Sequence, residues 1–241
     1  MGAPVITFTN VSKRYGEGER AVWALSDVDL SLGPAEFVSI IGPSGSGKST
    51  LLNLAGGLDV ASRGTVVVGE RDIAASSVSE RAALRRDTVA MVFQFANLIE
   101  VLDVEQNVGL PLRAAHLATR TIATRVAAAL EAVGLAKHGD RYPNELSGGE
   151  LQRVGIARAL VTEAPVILAD EPTGSLDTVR GEAILEILRD AVDKRGRTVV
   201  LVTHDLQAAS YGDRIVTLRD GRVVDEVDGA GSQEVIPLRR N

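Results

Sequence analysis

The sequence predicts an α/β fold in which a mainly parallel sheet packs against helices and is joined to an antiparallel β layer. Three continuous apolar runs, FVSII (37–41), VILAD (166–170) and TVVLVT (198–203), are typical of parallel strands that are buried on both faces. Amphipathic helical patterns alternate with these runs along the chain. Strands and helices in alternation indicate a parallel sheet covered by helices.

Alternating apolar and polar residues in the first third of the chain predict the antiparallel β layer. The runs are ITFTNV (6–11) and VDLSL (28–32), and each has the period of a half-buried strand. Near the other end, two alternating runs flank Asp220-Gly221, a dipeptide that favours the tight turn of a β-hairpin. The sequence therefore predicts antiparallel strands near both ends of the chain.

Two helices are predicted from apolar residues that recur every three or four positions. The first covers 122–133 and stops at Gly134, and the second covers 184–192 and stops near Gly196. Glycine just after the last periodic residue is a common helix terminator, because it adopts the left-handed backbone conformation without steric cost.

The chain, 1–241, is predicted to form a single domain with an inserted part. The stretch from about 96 to 162 contains several helical patterns and no buried-strand run, so it is interpreted as a helical subdomain. The remainder, about 1–95 and 163–228, forms the β layer and the core of the parallel sheet. The polar residues 229–241 are predicted to be a flexible tail.

Composition limits the classes of function. With 241 residues, 45% hydrophobic and 24% charged, the chain has the make-up of a folded globular protein. Lys and Arg number 26 against 32 Asp and Glu, giving a net charge of -6, so no nucleic-acid partner is expected. Cysteine is absent, which excludes disulfides and thiolate metal sites. No apolar run approaches the roughly 18 residues of a spanning helix, so any membrane spans are expected on another chain.

The segment GPSGSGKST is a phosphate-binding loop. Two glycines bracket four residues before Lys48 and Ser49, and the segment follows a buried strand and precedes a helical pattern. A glycine-rich turn that matched by chance would lack this context. Backbone N–H groups would surround the β-phosphate, Lys48 would reach the β and γ oxygens, and the Ser49 hydroxyl would bind Mg²⁺. The residues predicted to bind nucleotide are Gly42, Pro43, Ser44, Gly45, Ser46, Gly47, Lys48, Ser49 and Thr50.

Three further polar residues end buried strands. Asp170 and Glu171 follow one strand and His204 follows another, so all three are expected at the sheet edge where α/β proteins bind ligands. Asp170 is predicted to hold Mg²⁺ through a water, and Glu171 to orient or deprotonate an attacking water. His204 is predicted to donate from its ring to the γ-phosphate. The alternatives are structural: a cap before Pro172 for the carboxylates, and a satisfied polar residue for the histidine.

The segment ELSGGELQR is a second candidate anion site. Ser147 and Glu150 have the spacing of a capping box, which satisfies backbone amides at a helix N-terminus. Gly148 and Gly149 are not explained by capping, because each costs about 1 kcal/mol relative to Ala within a helix. Bare amides at the positive end of a helix bind anions.

Together these motifs resemble the nucleotide-binding subunit of an ABC transporter, from about residue 5 to 228. GPSGSGKST is similar to Walker A, VILADE to Walker B, LSGGE to the family signature and SLD (175–177) to the D-loop. A phosphate loop alone would also be compatible with a kinase or a GTPase. LSGGE upstream of a Walker B strand is not typical of those classes. The resemblance implies a P-loop NTPase (RecA-like) core with an N-terminal antiparallel β layer and an inserted helical subdomain.

The resemblance also implies a role for each site residue. Tyr15 is expected to stack on adenine, although an exposed tyrosine at a strand end would look the same. Gln94, in MVFQ, would join the core to the helical insertion, with a buried structural glutamine as the alternative. The implied catalytic residues are Glu171, His204, Gln94 and Lys48, the implied Mg²⁺ ligands are Ser49, Gln94 and Asp170, and Asp177 lies in the D-loop.

Two subunits of this family pack head to tail, which accounts for the second anion site. The resemblance implies that Ser147, Gly148, Gly149 and Glu150 of one copy face the ATP held by the phosphate loop of the other. The implied cofactors are ATP and Mg²⁺, and the implied reaction is hydrolysis of ATP to ADP and phosphate.

Within the family, LADEPTG and RYPNELSGGE most resemble the ATPases of lipoprotein release, macrolide export and cell division. This implies integral membrane permease-like partners on separate chains and a peripheral position on the cytoplasmic face of the inner membrane. Departures from the family pattern fall on the expected contact surface for such a partner. They are Ala35 in AEF, Gln106 before Asn107, and Glu100-Val101 in place of a proline-containing stretch.

Three rival functions remain open from the sequence. The first is a cell-division ATPase that regulates cell-wall enzymes without transport. The second is an ABC ATPase acting on DNA or ribosomes, but the sequence contains no long coiled-coil insertion, zinc module or duplicated cassette. The third is a binding module without hydrolysis, against which Glu171, Lys48 and His204 argue.

Overall fold

Two β-sheets and a group of helices make up the fold. The structure is a computed structural model that describes residues 3–174 and 176–229. The strands are β1 (Ile6–Tyr15), β2 (Val22–Leu32), β3 (Phe37–Ile41), β4 (Arg63–Val68), β5 (Arg71–Asp72), β6 (Val89–Val92), β7 (Val166–Asp170), β8 (Thr198–Thr203), β9 (Arg214–Arg219) and β10 (Arg222–Asp228). The helices are α1 (Lys48–Ala55), α2 (Val78–Asp87), α3 (Val104–Ala114), α4 (Thr119–Ala132), α5 (Gly148–Leu160), α6 (Thr178–Asp193) and α7 (Leu206–Ala209), with 3-10 turns at Gly18–Arg20 and Pro143–Glu145.

The three apolar runs form the centre of a six-stranded sheet with the order β10-β9-β3-β8-β7-β6. β3 pairs in parallel with β8, and β8 pairs in parallel with β7, as predicted. The register aligns Ile41 with Thr203 and Asp170 with Val202, so the three strands end level with one another. This register brings the residues that follow the strands to one edge of the sheet.

The antiparallel β layer is a second sheet, with the order β2-β1-β4-β5. β1 and β2 are the two strands predicted from alternation, and Phe8 pairs with Leu30 between them. The α1 helix lies between the sheets, where Leu51, Leu52 and Leu54 are buried in one cluster with apolar residues of both. This packing fixes the segment that immediately precedes α1.

The predicted helices are confirmed. α4 ends before Gly134, whose φ is +71°, and α6 is followed by Gly196, whose φ is +62°. Along the chain, β6 is followed by a helical group comprising α3, α4 and α5, and β7 comes after it. Residues 93–165 contain no strand. Buried residues of all three helices share one cluster with the sheet, including Val108, Val126 and Ile156.

The hairpin predicted at Asp220-Gly221 is formed by β9 and β10. Gly229, which the sequence assigned to the tail, donates its N–H to the carbonyl oxygen of Asp213 at 2.7 Å and so extends this hairpin. The rest of the predicted tail, 230–241, and Ser175 of the SLD segment lie outside the described residues. Among the residues that the structure describes, no helix combines the length and the apolar character required to cross a membrane.

Candidate active site

The phosphate loop connects β3 to α1, and its glycines are required by the backbone. Gly42, Gly45 and Gly47 have φ of +157°, +78° and +103°. A Cβ on Gly42 would lie 2.0 Å from the Leu218 carbonyl oxygen, and one on Gly47 would lie 2.3 Å from the Ala24 carbonyl oxygen. Because both neighbours are main-chain atoms, no larger residue fits at either position.

The turn of the β9–β10 hairpin fixes the phosphate loop from outside. Gly221 donates its N–H to the carbonyl oxygen of Ser46 at 3.0 Å and accepts from the N–H of Ser26 at 2.8 Å. The Ser46 hydroxyl is buried and has no hydrogen-bond partner among the described residues. The loop is therefore attached to both sheets.

Lys48, at the first position of α1, folds back over the loop. Its Nζ donates to the carbonyl oxygens of Gly42 at 2.8 Å and Pro43 at 3.0 Å, and the residue is only 8% exposed. The structure thus holds a cationic group at the loop, where the predicted contact with phosphate oxygens requires it.

Asp170 ends β7 beside the phosphate loop. Its Oδ1 is buried and has no hydrogen-bond partner in the described part of the chain. Burial raises the pKa of this carboxyl and so does the charge of Glu171, while the Ser49 hydroxyl and the Lys48 ammonium lower it; the net pKa is raised. A buried oxygen without a partner, close to a second oxygen ligand, fits a divalent cation that prefers oxygen.

Replacing Asp170 by Asn is expected to stabilise the nucleotide-free protein at neutral pH. Because the folded pKa of Asp170 lies above its unfolded value, ionisation of this carboxyl costs folding free energy. At a pH above the folded pKa, the wild type bears this cost in full. As the pH falls through the folded pKa toward the unfolded pKa, the cost disappears. Urea unfolding at several pH values measures the gain, which should shrink at lower pH. Asp190→Asn, which removes an exposed ion pair with Lys194, is the control and should give no gain.

Glu171 and His204 are in contact at the same edge. The Glu171 carboxylate lies 2.8 Å from His204 Nδ1. Glu171 has φ of +48°, a strained value for a residue with a side chain, and its N–H donates to the Val202 carbonyl oxygen at 2.9 Å. The carboxylate is 14% exposed and the imidazole 71% exposed. The sequence places the two residues at one edge but does not predict that they touch.

The tip of α5 has the predicted capping box. Ser147 donates its N–H to Glu150 Oε2 at 2.8 Å, and Glu150 donates its N–H to Ser147 Oγ at 3.4 Å. Hydrogen bonds from Ser147 lower the pKa of Glu150. His138, which the sequence analysis missed, places Nε2 3.2 Å from Glu150 Oε1. A Cβ on Gly148 would meet nothing within 4 Å, so the helix tip is open to solvent on that side.

The segment that contains Gln94 is bound to α5. Gln152 and Arg158 of α5 donate three hydrogen bonds, of 2.5–3.0 Å, to main-chain carbonyl oxygens of residues 93–97. Gln94 itself is exposed, so the alternative of a buried structural glutamine is wrong for it, and Gln152, 3% exposed, has that role instead. The α5 helix and the Gln94 segment are thus fixed to each other by side chains that the sequence analysis did not single out.

Replacing Arg158 by Met is expected to loosen the Gln94 segment. The substitution removes two charged hydrogen bonds to the segment, each worth about 1.5–3 kcal/mol, while it keeps a similar apolar stem. Cleavage by chymotrypsin after Phe95, which is 76% exposed, should become at least about a hundredfold faster. The matched control is Arg125→Met on α4, which removes an ion pair with Glu163 and should leave this cleavage unchanged.

Tyr15 ends β1 and is 42% exposed. Its hydroxyl donates to Asp59 Oδ2 at 2.9 Å, and the Lys13 ammonium lies 4.9 Å from its ring centroid. Burial and the hydrogen bond to Asp59 raise the pKa of Tyr15, whereas the Thr50 hydroxyl, in the phosphate loop segment, lowers it. The Tyr15 hydroxyl therefore lies close to the Thr50 side chain, at the end of the phosphate loop segment.

Asp177 caps α6 in the described part of the SLD segment. Its Oδ1 accepts from the N–H of Arg180 at 3.0 Å, and its Oδ2 lies 3.1 Å from Arg180 Nη1. The capping carboxylate fixes the start of α6, immediately after the predicted D-loop.

Comparison with known proteins identifies the family. The family model described as ABC transporter matches residues 25–174. An uncharacterised ABC transporter ATP-binding protein of Methanocaldococcus jannaschii, MJ0796, is 44% identical over 226 residues, which cover 92% of this chain and 96% of that protein. The macrolide export ATP-binding/permease protein MacB 1/2 of Paracoccus denitrificans is 43% identical over 98% of this chain, which spans 35% of that protein.

A solved structure agrees with the sequence matches. The dimeric post-hydrolysis state of the ATP-binding cassette MJ0796, bound to ADP and Pi, has a TM-score of 0.90 and is 41% identical, and the match covers 94% of this chain and 100% of that one. The predicted P-loop NTPase fold and the predicted resemblance to macrolide-export ATPases are confirmed. The chain therefore belongs to the ABC transporter family, as one of its ATP-binding, ATP-hydrolysing cassettes.

Proposed function

We propose that two copies of this chain close on ATP and drive an integral membrane permease in efflux, or in lipoprotein or peptide handling. The observation that carries the proposal is that the phosphate-binding residues and the signature residues lie on different elements of one copy. The phosphate loop, Asp170, Glu171 and His204 gather around β3, β7 and β8. The signature residues occupy the tip of α5, which packs chiefly on α3, α4 and β6.

Within one copy, the phosphate loop binds the triphosphate. Its backbone N–H groups and the Lys48 ammonium contact the β- and γ-phosphate oxygens and stabilise the charge that develops as the γ-phosphoryl group leaves. Mg²⁺ would be held by Ser49, Asp170 and Gln94, and when bound it neutralises charge on the β- and γ-phosphate oxygens. The Oδ1 of Asp170, which has no hydrogen-bond partner among residues 3–174 and 176–229, supports this assignment.

Glu171 is the general base in this mechanism. It accepts the proton of the attacking water while the water oxygen bonds to the γ-phosphorus and the bond to the bridging oxygen of ADP breaks. His204 orients the carboxylate through Nδ1, which lies 2.8 Å from it. The other ring nitrogen, Nε2, would donate to the γ-phosphate when it carries a proton.

The signature residues complete the site of the other copy. Ser147 supplies its hydroxyl and Gly149 its N–H to the γ-phosphate across the interface, at the positive end of the α5 dipole. The solved structure of the similar MJ0796 cassette is a dimer with ADP and Pi, which supports this arrangement. Hydrolysis removes the contact between the two copies, so the dimer opens.

An apolar surface next to Gln94 suits a membrane protein partner. Phe95 is 76% and Val101 81% exposed, and both follow β6, where the helical group begins. This chain spans about a third of the length of MacB proteins, which are named ATP-binding/permease proteins. Those names support a permease as the partner, which we propose to be a separate chain. The proposed location is the cytoplasmic face of the inner membrane.

Isolation of the protein from membranes tests this proposal. The chain, solubilised in mild detergent with ATP and Mg²⁺, should co-purify with an integral membrane permease, identified by mass spectrometry. Phe95→Ser with Val101→Ser should lose this companion and keep the ATPase activity of the free subunit, whereas Val78→Ser, at a residue 74% exposed on α2, should keep both. If the co-purified membrane protein regulates cell-wall enzymes, the proposed transport function would be wrong and the cell-division function would take its place.

A further inference from the structure

Lys13, Tyr15 and Asp59 form one connected group beside the phosphate loop. Asp59 accepts from Lys13 Nζ through Oδ1 at 2.6 Å and from the Tyr15 hydroxyl through Oδ2 at 2.9 Å. The Lys13 ammonium also donates to the Val60 carbonyl oxygen at 2.9 Å, and Lys13 is only 8% exposed. Both oxygens of one carboxylate are thus used to hold two residues of β1.

The ring of Tyr15 contacts the Lys13 ammonium and the residue is still partly exposed. The Lys13 ammonium lies 4.9 Å from the ring centroid, within the range of a cation–π contact. Tyr15 is nevertheless 42% exposed, so a large part of the residue is open to solvent. A planar base can stack on the open part of the ring while Lys13 and Asp59 keep the ring from turning.

Asp59 also connects the ring to the helix that starts in the phosphate loop. The N–H groups of Leu58 and Asp59 donate to the Asn53 carbonyl oxygen at 2.9 and 3.3 Å, at the end of α1. The phosphate loop continues directly into the first turn of α1. The contact from Tyr15 to Asp59 therefore fixes the distance between the ring and the phosphate site.

We propose that Lys13 and Asp59 are positioning residues that set how much the nucleobase contributes to ATP affinity, by holding the Tyr15 ring at a fixed distance from the phosphate loop. The inference rests on the proposed nucleotide site. It adds two residues outside the sequence motifs, Lys13 and Asp59, that affect binding of the base. Lys13 is in β1 and Asp59 follows α1, so neither belongs to the phosphate loop, and we expect their effect at the base end of the ligand.

The test compares ATP with inorganic tripolyphosphate, which lacks the base and the ribose. Dissociation constants are measured in the presence of Mg²⁺ by isothermal titration for the wild type, Asp59→Asn and Tyr15→Phe. Asp59→Asn removes the charge and leaves one oxygen to accept from both Lys13 and Tyr15, whereas Tyr15→Phe removes the hydroxyl and keeps the ring and the Lys13–Asp59 pair. Asp87→Asn is the control, because it removes the same charge and an ion pair, with Arg86, at the far end of α2.

We expect Asp59→Asn to weaken ATP binding about five-fold and tripolyphosphate binding by less than two-fold, with the loss in turnover appearing in KM for ATP rather than in kcat. Tyr15→Phe should show the same selective loss, and Asp87→Asn none. Equal losses for both ligands, or no loss for ATP, would overturn the inference. If the wild type bound neither ligand, the proposed nucleotide site itself would be wrong, so the two failures are distinct.

Discussion

Replacing Glu171 by Gln is expected to slow ATP hydrolysis by about a thousandfold and to leave ATP bound. General-base catalysis contributes roughly 10²–10⁴ to a rate, and the amide keeps the shape of the side chain but does not accept the proton of water. The variant keeps a hydrogen-bonding group opposite His204 Nδ1, so the edge of the sheet should stay folded. Phosphate release under saturating ATP and Mg²⁺ measures the loss.

The same variant should accumulate as an ATP-bound dimer, because the nucleotide that joins the two copies is no longer consumed. Size-exclusion chromatography with ATP and Mg²⁺ should show a stable dimer, and chromatography without nucleotide a monomer. Glu163→Gln, at an exposed residue paired with Arg125, is the control and should keep wild-type turnover. A Glu171→Gln protein that stayed monomeric in saturating ATP would count against a site shared between copies.

Replacing Ser147 by Arg is expected to abolish turnover while ATP binding persists. The phosphate loop of the same copy is unchanged, so the dissociation constant for ATP should stay within about two-fold of the wild-type value. The long cationic side chain at the open tip of α5 blocks the approach of the other copy and removes the hydroxyl proposed to contact its γ-phosphate. Equilibrium binding and phosphate release on the same sample separate the two effects.

The chain contains a matched control for this substitution. Ser77 caps α2 with the same box as Ser147, accepting from the N–H of Glu80. Ser77→Arg removes a helix cap of similar value, about 1 kcal/mol, away from the proposed interface. It should lose stability and keep turnover. Normal hydrolysis by Ser147→Arg would remove the proposed role of the signature residues.

Most of the parallel sheet could be predicted because its strands are long apolar runs, yet β6 was not. Three of the four residues VAMV of β6 are buried at one edge of the sheet, and such a short run is not distinguishable from a turn of buried helix. β5, with only two residues, has no periodicity at all. These strands are fixed by their neighbours, β7 and β4, and not by local pattern.

The parts of the site that consist of contiguous sequence motifs could be predicted. The phosphate loop and the capping box at Ser147 depend on local spacing, and the structure has both. The contact of Lys13 with Asp59 joins residues 46 positions apart, and that of Glu171 with His204 joins residues 33 positions apart. Such contacts depend on how β1 meets the end of α1 and how β7 lies beside β8, which no local pattern encodes.

The dependence of ATPase rate on protein concentration tests most directly whether the active site is divided between two copies. The rate per subunit is measured over a dilution series at saturating ATP and Mg²⁺, with sedimentation on the same samples to determine how much protein is dimeric. We expect the rate per subunit to fall in proportion to the dimer fraction and to approach zero when the protein is monomeric. A constant rate per subunit in the monomeric range would contradict the account.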